Sequence, residues 1–396
     1  MKKIGLLPRL IIAIALGVIV GMMSASAGVE QIVRIGATFN GIFGNFLNFV
    51  IPLIIIGFVV PGIADLGDGA GKTLAITAVI AYCSTIIAGS LAYFVDSAVF
   101  PSFLVEGAGI FEAANPEHSL LTGYMTIEMP AIMGVMSALI LSFVMGIGIA
   151  VTKSQTLKSV FNEFQNIVSK VITTIIIPLL PVHIFGIFAN MSYAGKVFEI
   201  LSVFIKVFGV IILLHIAILL IQYFIAGTIA KKNPISLLKN MMPAYFTAIG
   251  TQSSAATIPV TLEQTKKNGV SDEISDFAIP LCATIHLSGS TITLTSCSLA
   301  VMMLSGMNHG FGTMFPFILM LGVTMVAAPG VPGGAVMAAM GLLTTMLGFD
   351  ETLTSLMVAL YLAQDSFGTA CNVTGDGAIA VLVDAITGKN KNKAWF

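Results

Sequence analysis

Residues 363–384 read AQDSFGTACNVTGDGAIAVLVD, and the polar residues in this otherwise apolar stretch decide what kind of fold can hold it. Asp365, Thr369, Asn372 and Asp376 stand at i, i+4, i+7 and i+11, which at 3.6 residues per turn puts all four on one narrow helix face. Inside a membrane each carboxylate costs about 2.5–3.5 kcal/mol on insertion scales. No Lys or Arg stands nearby in the sequence to offset that cost. A cation from elsewhere must do so: a metal ion, a proton, or the ammonium group of a substrate. The plainer alternative is that helix backbones alone satisfy both acids. A carboxylate with amide and backbone carbonyls is a hard oxygen set, which suits sodium, calcium or magnesium better than zinc or copper. A transporter harvesting a gradient would use sodium.

The rest of the chain makes the membrane reading firm. Of 396 residues, 57% are hydrophobic and 9% charged, against about a quarter charged in a soluble domain. Apolar runs at 8–25, 41–63, 74–95, 130–151, 171–190 and 197–229 are long enough to cross the hydrocarbon core as helices. None has the period-two alternation of a membrane barrel. The first run follows Met1-Lys2-Lys3 and ends near Ser24-Ala25-Ser26, imitating a secretory signal, but is expected to stay as an uncleaved first helix.

Charge placement gives an orientation. Lys2, Lys3 and Arg9 precede the first run, Lys72 lies between the second and third, and Lys153 and Lys158 follow the fourth. Lys231, Lys232 and Lys239 follow the sixth, Lys266 and Lys267 come later, and Lys389, Lys391 and Lys393 lie near the end. The segment between runs three and four carries Asp96, Glu106, Glu112 and Glu117 without a Lys or Arg. By the positive-inside rule both termini are expected in the cytoplasm, with the chain multi-pass in the inner (plasma) membrane and in contact with its lipid. Cys83, Cys282, Cys297 and Cys371 all lie in apolar segments, with neither a disulfide framework nor zinc-type spacing, and read as small core residues.

Residues 1–230 read as ordinary spans with short loops, whereas 235–388 are apolar yet repeatedly interrupted by Gly, Pro, Ser and Thr. Residues 247–259 (TAIGTQSSAATIP) and 326–334 (VAAPGVPGG) place breakers in mid-stretch, so neither spans as one unbroken helix. Non-helical backbone at that depth is tolerated only within protein or beside a water-filled cavity. Paired interruptions of this kind point to a binding site between repeats, although two kinked helices packed through Gly are the bland alternative. Segments 274–305 and 351–388 follow the interruptions, giving hairpin, helix, hairpin, helix. The stretch IPLCATIHLSGSTITLT (279–295) adds Thr284, His286, Ser288, Ser290 and Thr291 at depth. His286 reads first as a hydrogen-bonded packing residue rather than a proton carrier.

Four pieces in order resemble the dicarboxylate/amino acid:cation symporter family: Gln252-Ser253-Ser254-Ala255, residues 280–290, residues 329–333, and residues 365–376. The resemblance covers about the last 150 residues, and the helix count of the first half agrees. It implies an all-α polytopic membrane protein of the glutamate-transporter-homologue (elevator) fold, with eight transmembrane helices plus two re-entrant helical hairpins in each subunit of a homotrimer. On that pattern 1–230 is mainly scaffold and trimerisation helices one to six, with helices three and six partly in the transport domain. Residues 231–396 form the transport core: hairpin one at about 236–263, helix seven at about 273–305, hairpin two at about 313–348 and helix eight at about 350–388.

The resemblance also implies roles. Asp365 is expected to bind a substrate ammonium and Asn372 its α-carboxylate, with Ser253, Ser254, Ser290, Gly368 and Thr369 around them and Val331 and Gly333 closing from the second hairpin. Free N–H groups at the half-helix N-termini suit a carboxylate. Asp376, with backbone oxygens of Cys282, His286 and Asn372, matches a first sodium site, and backbone oxygens of Thr284, Met325, Val326 and Ala328 a second. Two departures follow. Where members with acidic substrates carry an Arg one turn after Asp365, this chain has Gly368, and an Arg sometimes found at the first hairpin tip is here Gln252. A substrate carboxylate would lack its bidentate partner, so the expected substrate is a small neutral amino acid such as serine, threonine or alanine, or a bulkier neutral one for which Gly368 leaves room. His286 and Ser288 stand at the usual Asn and Asp of a third, deeper ion site, which is expected to be missing or altered even though Tyr82 and Thr85 remain.

Sodium-coupled symport is thus the expected function, with sodium ions as the only cofactor and neither nucleic acid nor catalysis involved. Rival readings are proton coupling through His286, an acidic-substrate symporter, a channel, and a membrane enzyme using Asp365 and Asp376. The last is weak, because three helical turns hold the two acids about 16 Å apart. Residues 67–73 (GDGAGKT) only mimic a phosphate-binding loop, with Leu66 where the first Gly is required, and Asn372-Val373-Thr374 is a sequon at membrane depth.

Overall fold

The computed structural model describes residues 6–67, 71–104, 121–195, 197–326, 328 and 333–387, and these contain helices and no strand. Lys2, Lys3, Glu106, Glu112, Glu117, Val331 and the lysines from 389 onward therefore lie outside the described residues, as does most of the 329–333 motif.

The amino-terminal helices are α1 (Leu6–Ala27), α2 (Gln31–Gly67), α3 (Gly71–Val99) and α4 (Val135–Thr152). After them come α5 (Gln155–Val171), α6 (Ile177–Tyr193) and α7 (Val197–Ala230). Six helices among the described residues are long and apolar enough to cross a membrane. Several extend beyond the apolar runs. The fifth run begins with α5, sixteen residues ahead of the expected 171, because residues 155–171 are amphipathic and carry their polar side outward. Ser154 caps α5 by accepting from the Leu157 N–H. A π-turn over Ile172–Ile176 joins α5 to α6. It precedes Pro178, whose missing N–H leaves the preceding turn without its i→i−4 bond.

The third run also continues past its expected end. Asp96, expected in the segment that follows, sits inside α3 and is fully buried. The apolar count stops at that charge, whereas the helix does not.

The second half is built from shorter pieces. α8 (Pro234–Asn240) and α9 (Met242–Thr251) lead to Gln252, which adopts left-handed geometry (φ 52°), and Ser253 then caps α10 (Ser254–Lys267) by accepting from the Ala256 N–H at 3.2 Å. α9 and α10 pack on each other and on the last helix. The expected single segment at 273–305 is two helices, α11 (Asp272–Ile285) and α12 (Ser288–Leu304), parted by extended backbone at His286 and non-helical backbone at Leu287. Nothing local forces that break as a proline would; it is held by a side chain from another helix. α13 (Phe311–Met325) and α14 (Gly334–Leu347) pack together, and α15 (Glu351–Thr387) closes the chain.

The layering follows from where polar groups can go. The most apolar window of the span Asp272–Leu304 is wholly buried in protein and that of Thr352–Thr387 nearly so, although Asp272, Glu273 and Asp276 at the start of α11 are exposed; the other spans expose much of their surface. Ile11, Ile140, Ile205 and Leu213 are among the large apolar side chains that face outward, as lipid-facing helices require. α15 packs against α7, α9, α10, α11 and α12, and α3 packs on α12 and α13. α1 lies along α6 and α2 along α4. The residues carrying hydroxyls and carboxylates are therefore screened on all sides by helices, which is the condition for keeping them at depth.

α12 and α15 approach closely at Gly289. A Cβ there would stand 2.5 Å from the Gly368 carbonyl oxygen and 2.6 Å from the Cys371 Cβ, so α12 and α15 touch backbone to side chain. Gly289→Ala is expected to cost about 1–3 kcal/mol by overpacking. A thermal melt of the purified protein checks this, and a melting temperature equal to that of wild type would contradict the contact.

Candidate binding site

Asp365, Thr369, Asn372 and Asp376 are all buried on α15, between 1% and 5% exposed. Among the described residues no lysine or arginine pairs with either acid. The only two arginines, Arg9 and Arg34, lie in α1 and α2.

The Asn372 amide closes the α11–α12 break. Its Oδ1 accepts from the backbone N–H of Gly289 at 2.8 Å and of Ser290 at 3.2 Å, while its Nδ2 donates to Ser290 Oγ at 2.9 Å. Two of the free N–H groups at the α12 N-terminus are thereby satisfied from outside the helix. Tyr361 Oη donates to the same Ser290 hydroxyl at 2.9 Å. Tyr361 is a site residue that sequence reasoning missed. It lies one turn before Asp365 on the same stripe, and that spacing was the available signal.

Asp365 ties the second interruption to α15. Its Oδ2 accepts from the backbone N–H of Gly333 at 2.7 Å. Gly333 caps α14 in left-handed geometry (φ 74°), a conformation that glycine adopts without strain. Thr369 Oγ1 lies 3.5 Å from Asp365 Oδ1, so that oxygen is only loosely held. From the first interruption, Gln252 Nε2 donates to Ser366 Oγ at 2.9 Å, and Ser254 is buried beside it in sequence. Both interruptions thus meet α15 within one turn. Val331 lies outside the described residues. Gly368 faces α12: a Cβ there would be 3.5 Å from Thr293 Oγ1 and 3.6 Å from the Ser290 nitrogen.

Asp376 has a partner of a different kind. Its Oδ1 is 2.9 Å from His286 Nδ1. A carboxylate only accepts, so Nδ1 carries the proton. His286 Nε2 is 3.0 Å from Ser84 Oγ, and Gln222 Nε2 donates to that Ser84 oxygen at 2.9 Å and to Ser288 Oγ at 3.2 Å. With a neutral imidazole the donors form one sequence: Gln222 to Ser84, Ser84 to His286, His286 to Asp376. Gln222 and Ser84, on α7 and α3, were not among the sequence candidates; Gln222 stands out only as an amide within an apolar run.

Tyr82 and Thr85 are turned elsewhere. Tyr82 Oη donates to the Leu319 carbonyl at 3.3 Å and Thr85 Oγ1 to the Ala81 carbonyl at 3.0 Å. Cys282 and Met325 are buried, and Thr284 Oγ1 donates to the Leu281 carbonyl at 2.8 Å. Met325 ends α13, Val326 caps it, and Ala328 follows. At these helix ends the Cys282 carbonyl accepts from the His286 N–H at 2.9 Å and the Met325 carbonyl from the Ala328 N–H at 3.3 Å, each with a second lone pair left, and the ends carry the negative pole of their helices. The C-termini of α11 and α13 therefore offer oxygens of the class that sodium accepts, and Asp376 adds the formal charge. The donor set fits an alkali ion.

The family model of the sodium:dicarboxylate symporter family matches residues 6–386. The chain is 25% identical to the serine/threonine transporter SstT of Acinetobacter baylyi over 96% of this chain and 97% of that protein. It is 26% identical to the serine/threonine transporter SstT of Acinetobacter baumannii over 98% of each. With a match that runs almost from end to end, the chain belongs to the sodium:dicarboxylate symporter family.

Proposed function

We propose that the protein is a secondary active transporter that carries a small neutral amino acid together with sodium. The observation that carries this reading is a pair of acids, Asp365 and Asp376, buried on one helix face at two helix interruptions, with no basic Lys or Arg partner among the described residues. An ammonium group at Asp365 and a sodium ion at Asp376 supply the missing charges.

Asp365 has one oxygen on Gly333 and the other loosely held by Thr369, which leaves the second free to accept from an ammonium. Asn372, whose Nδ2 keeps a second N–H beyond the one given to Ser290, takes the α-carboxylate, with Ser253 and Ser254 contributing from the first hairpin and Ser290 and Gly368 toward the side-chain end. Sodium, when bound, supplies the coupling charge; Asp376 with backbone oxygens of Cys282, His286 and Asn372 holds one ion, and those of Thr284, Met325, Val326 and Ala328 a second. The family and the serine/threonine specificity in the relatives' names support a neutral substrate. So does Gly368, which faces Thr293 and Ser290 where an arginine would otherwise project. The finer architecture belongs to the same proposal: eight spans and two re-entrant hairpins, a homotrimer, cytoplasmic termini in the inner membrane, and an elevator in which 231–396 moves against a scaffold drawn mainly from 1–230.

Proton coupling is a second reading with its own observation, the 2.9 Å contact between His286 Nδ1 and Asp376 Oδ1. A protonated His286 puts a positive charge where the ion's carboxylate lies and so competes with sodium.

Serine, threonine or alanine is expected to compete for binding in proteoliposomes at concentrations where aspartate does not. A buried substrate carboxylate without a cationic partner loses about 4 kcal/mol, about a thousandfold in affinity. Asp365→Ala is expected to abolish amino-acid binding. Tight aspartate binding with neutral amino acids ignored would overturn the substrate assignment.

Asp376→Asn should weaken sodium binding by at least about tenfold, since it removes the formal charge that a desolvated cation requires. Unchanged sodium affinity in Asp376→Asn removes the ion assignment. An imposed proton gradient in sodium-free medium is expected to drive no uptake, and uptake under it would favour the proton reading instead.

A further inference from the structure

Asp96 is the third carboxylate buried in this core, and the reading above does not use it. It is 0% exposed within α3, and neither of its oxygens has a hydrogen-bond partner. No ion pair among the described residues reaches it. α3 packs on α12, and both pack on α15. From α12, Ser296 lies against the carboxylate and Cys297 lies beside it. From α15, Gln364 donates its Nε2 to Cys297 Sγ at 3.7 Å and leaves its Oε1 unpartnered. The Ser296 hydroxyl is unpartnered as well, as are those of the adjoining Ser97 and Thr295.

Asp96 on α3, Ser296 on α12 and Gln364 on α15, the last linked to α12 through Cys297, are therefore buried side chains of three mutually packed helices, each with an oxygen that makes no hydrogen bond. An ionised carboxylate left bare in such a place carries the uncompensated desolvation penalty of a buried unpaired ion. The neighbouring hydroxyls can donate but are neutral, so an ionised Asp96 still lacks a counter-charge. One cation with a preference for hard oxygen ligands supplies that charge and takes carboxylate, hydroxyl and amide oxygens alike. We propose that Asp96, Ser296 and Gln364 bind a sodium ion at a site separate from Asp365 and Asp376. Gln364 is twelve residues before Asp376 on α15, about 18 Å along the axis, and its neighbour Asp365 points about 100° away around the helix.

Binding of an ion to the folded state makes the melting temperature depend on its concentration, so the test needs no transport. Wild type and Asp96→Asn are melted in detergent at pH 8 as sodium chloride replaces choline chloride at constant ionic strength, without amino acid. Without sodium the variant is expected to melt above wild type, because the uncompensated charge is gone. With rising sodium the wild-type curve should climb more steeply, by the increment of one ion. Equal slopes overturn the proposal. So does a wild-type melting temperature that responds to pH at Asp96 but not to sodium, which assigns the site to a proton. Ser296→Ala keeps the charge and is expected to shift the sodium response to a several-fold higher concentration. If Asp96→Asn does not fold, an unchanged midpoint in Ser296→Ala overturns the site.

Discussion

The hydrogen bonds from the N-terminus of α12 to the Asn372 amide are the interaction on which the core depends. A helix interrupted at membrane depth exposes backbone groups that lipid cannot satisfy. Here one side chain from α15 accepts two of them, and Ser290 links the same amide to Tyr361. The break can then persist, and its persistence brings His286 to Asp376 and aims the α12 N-terminus at the stripe on α15. Remove the amide and the two N–H groups become buried and unsatisfied, at about 1–3 kcal/mol apiece.

The two helix interruptions beside Asp365 divide the work differently. Gln252 and Ser253 form a tight left-handed turn with a side-chain cap, and their grip on α15 is side chain to side chain. Gly333 reaches the acid through its backbone. A backbone donor has no rotamer to lose, so the second contact forms and breaks with the position of the segment alone. On the proposed substrate assignment, the tip at Gly333 and an ammonium share a single carboxylate, which would couple the state of the tip to the occupancy of Asp365.

Much of this was legible in the sequence because the expense of charge in lipid makes each polar residue informative. The stripe Asp365–Thr369–Asn372–Asp376 needed only helical spacing, and the interruptions at 247–259 and 326–334 announced themselves through Gly, Pro and Ser. What the sequence concealed were features fixed by distant partners. The gap at His286 and Leu287 has no local breaker, since its cap comes from a residue more than eighty positions away. Asp96 falls in the segment after the third run because a charge ends an apolar count, although the helix runs on through it. The roles of Ser84 and Gln222 depend on α3 and α7 meeting at one imidazole, which periodicity within either helix does not report. Amphipathic starts such as 155–171 were short by several turns because apolar content marks where a helix faces lipid and not where it begins.

The donor sequence from Gln222 through Ser84 and His286 to Asp376 also has a mechanical meaning. Its four members sit on four different segments: α7, α3, the α11–α12 break and α15. Hydrogen bonds of about 2.9–3.0 Å weaken steeply once stretched or bent, so the chain works as a bolt driven through the stack. Shear of α3 or α7 past α15 would break it and strand a buried carboxylate with its imidazole unsupported. A surface along which one part of this core slid past another would then have to run outside α3 and α7, along the faces they turn toward the remaining helices.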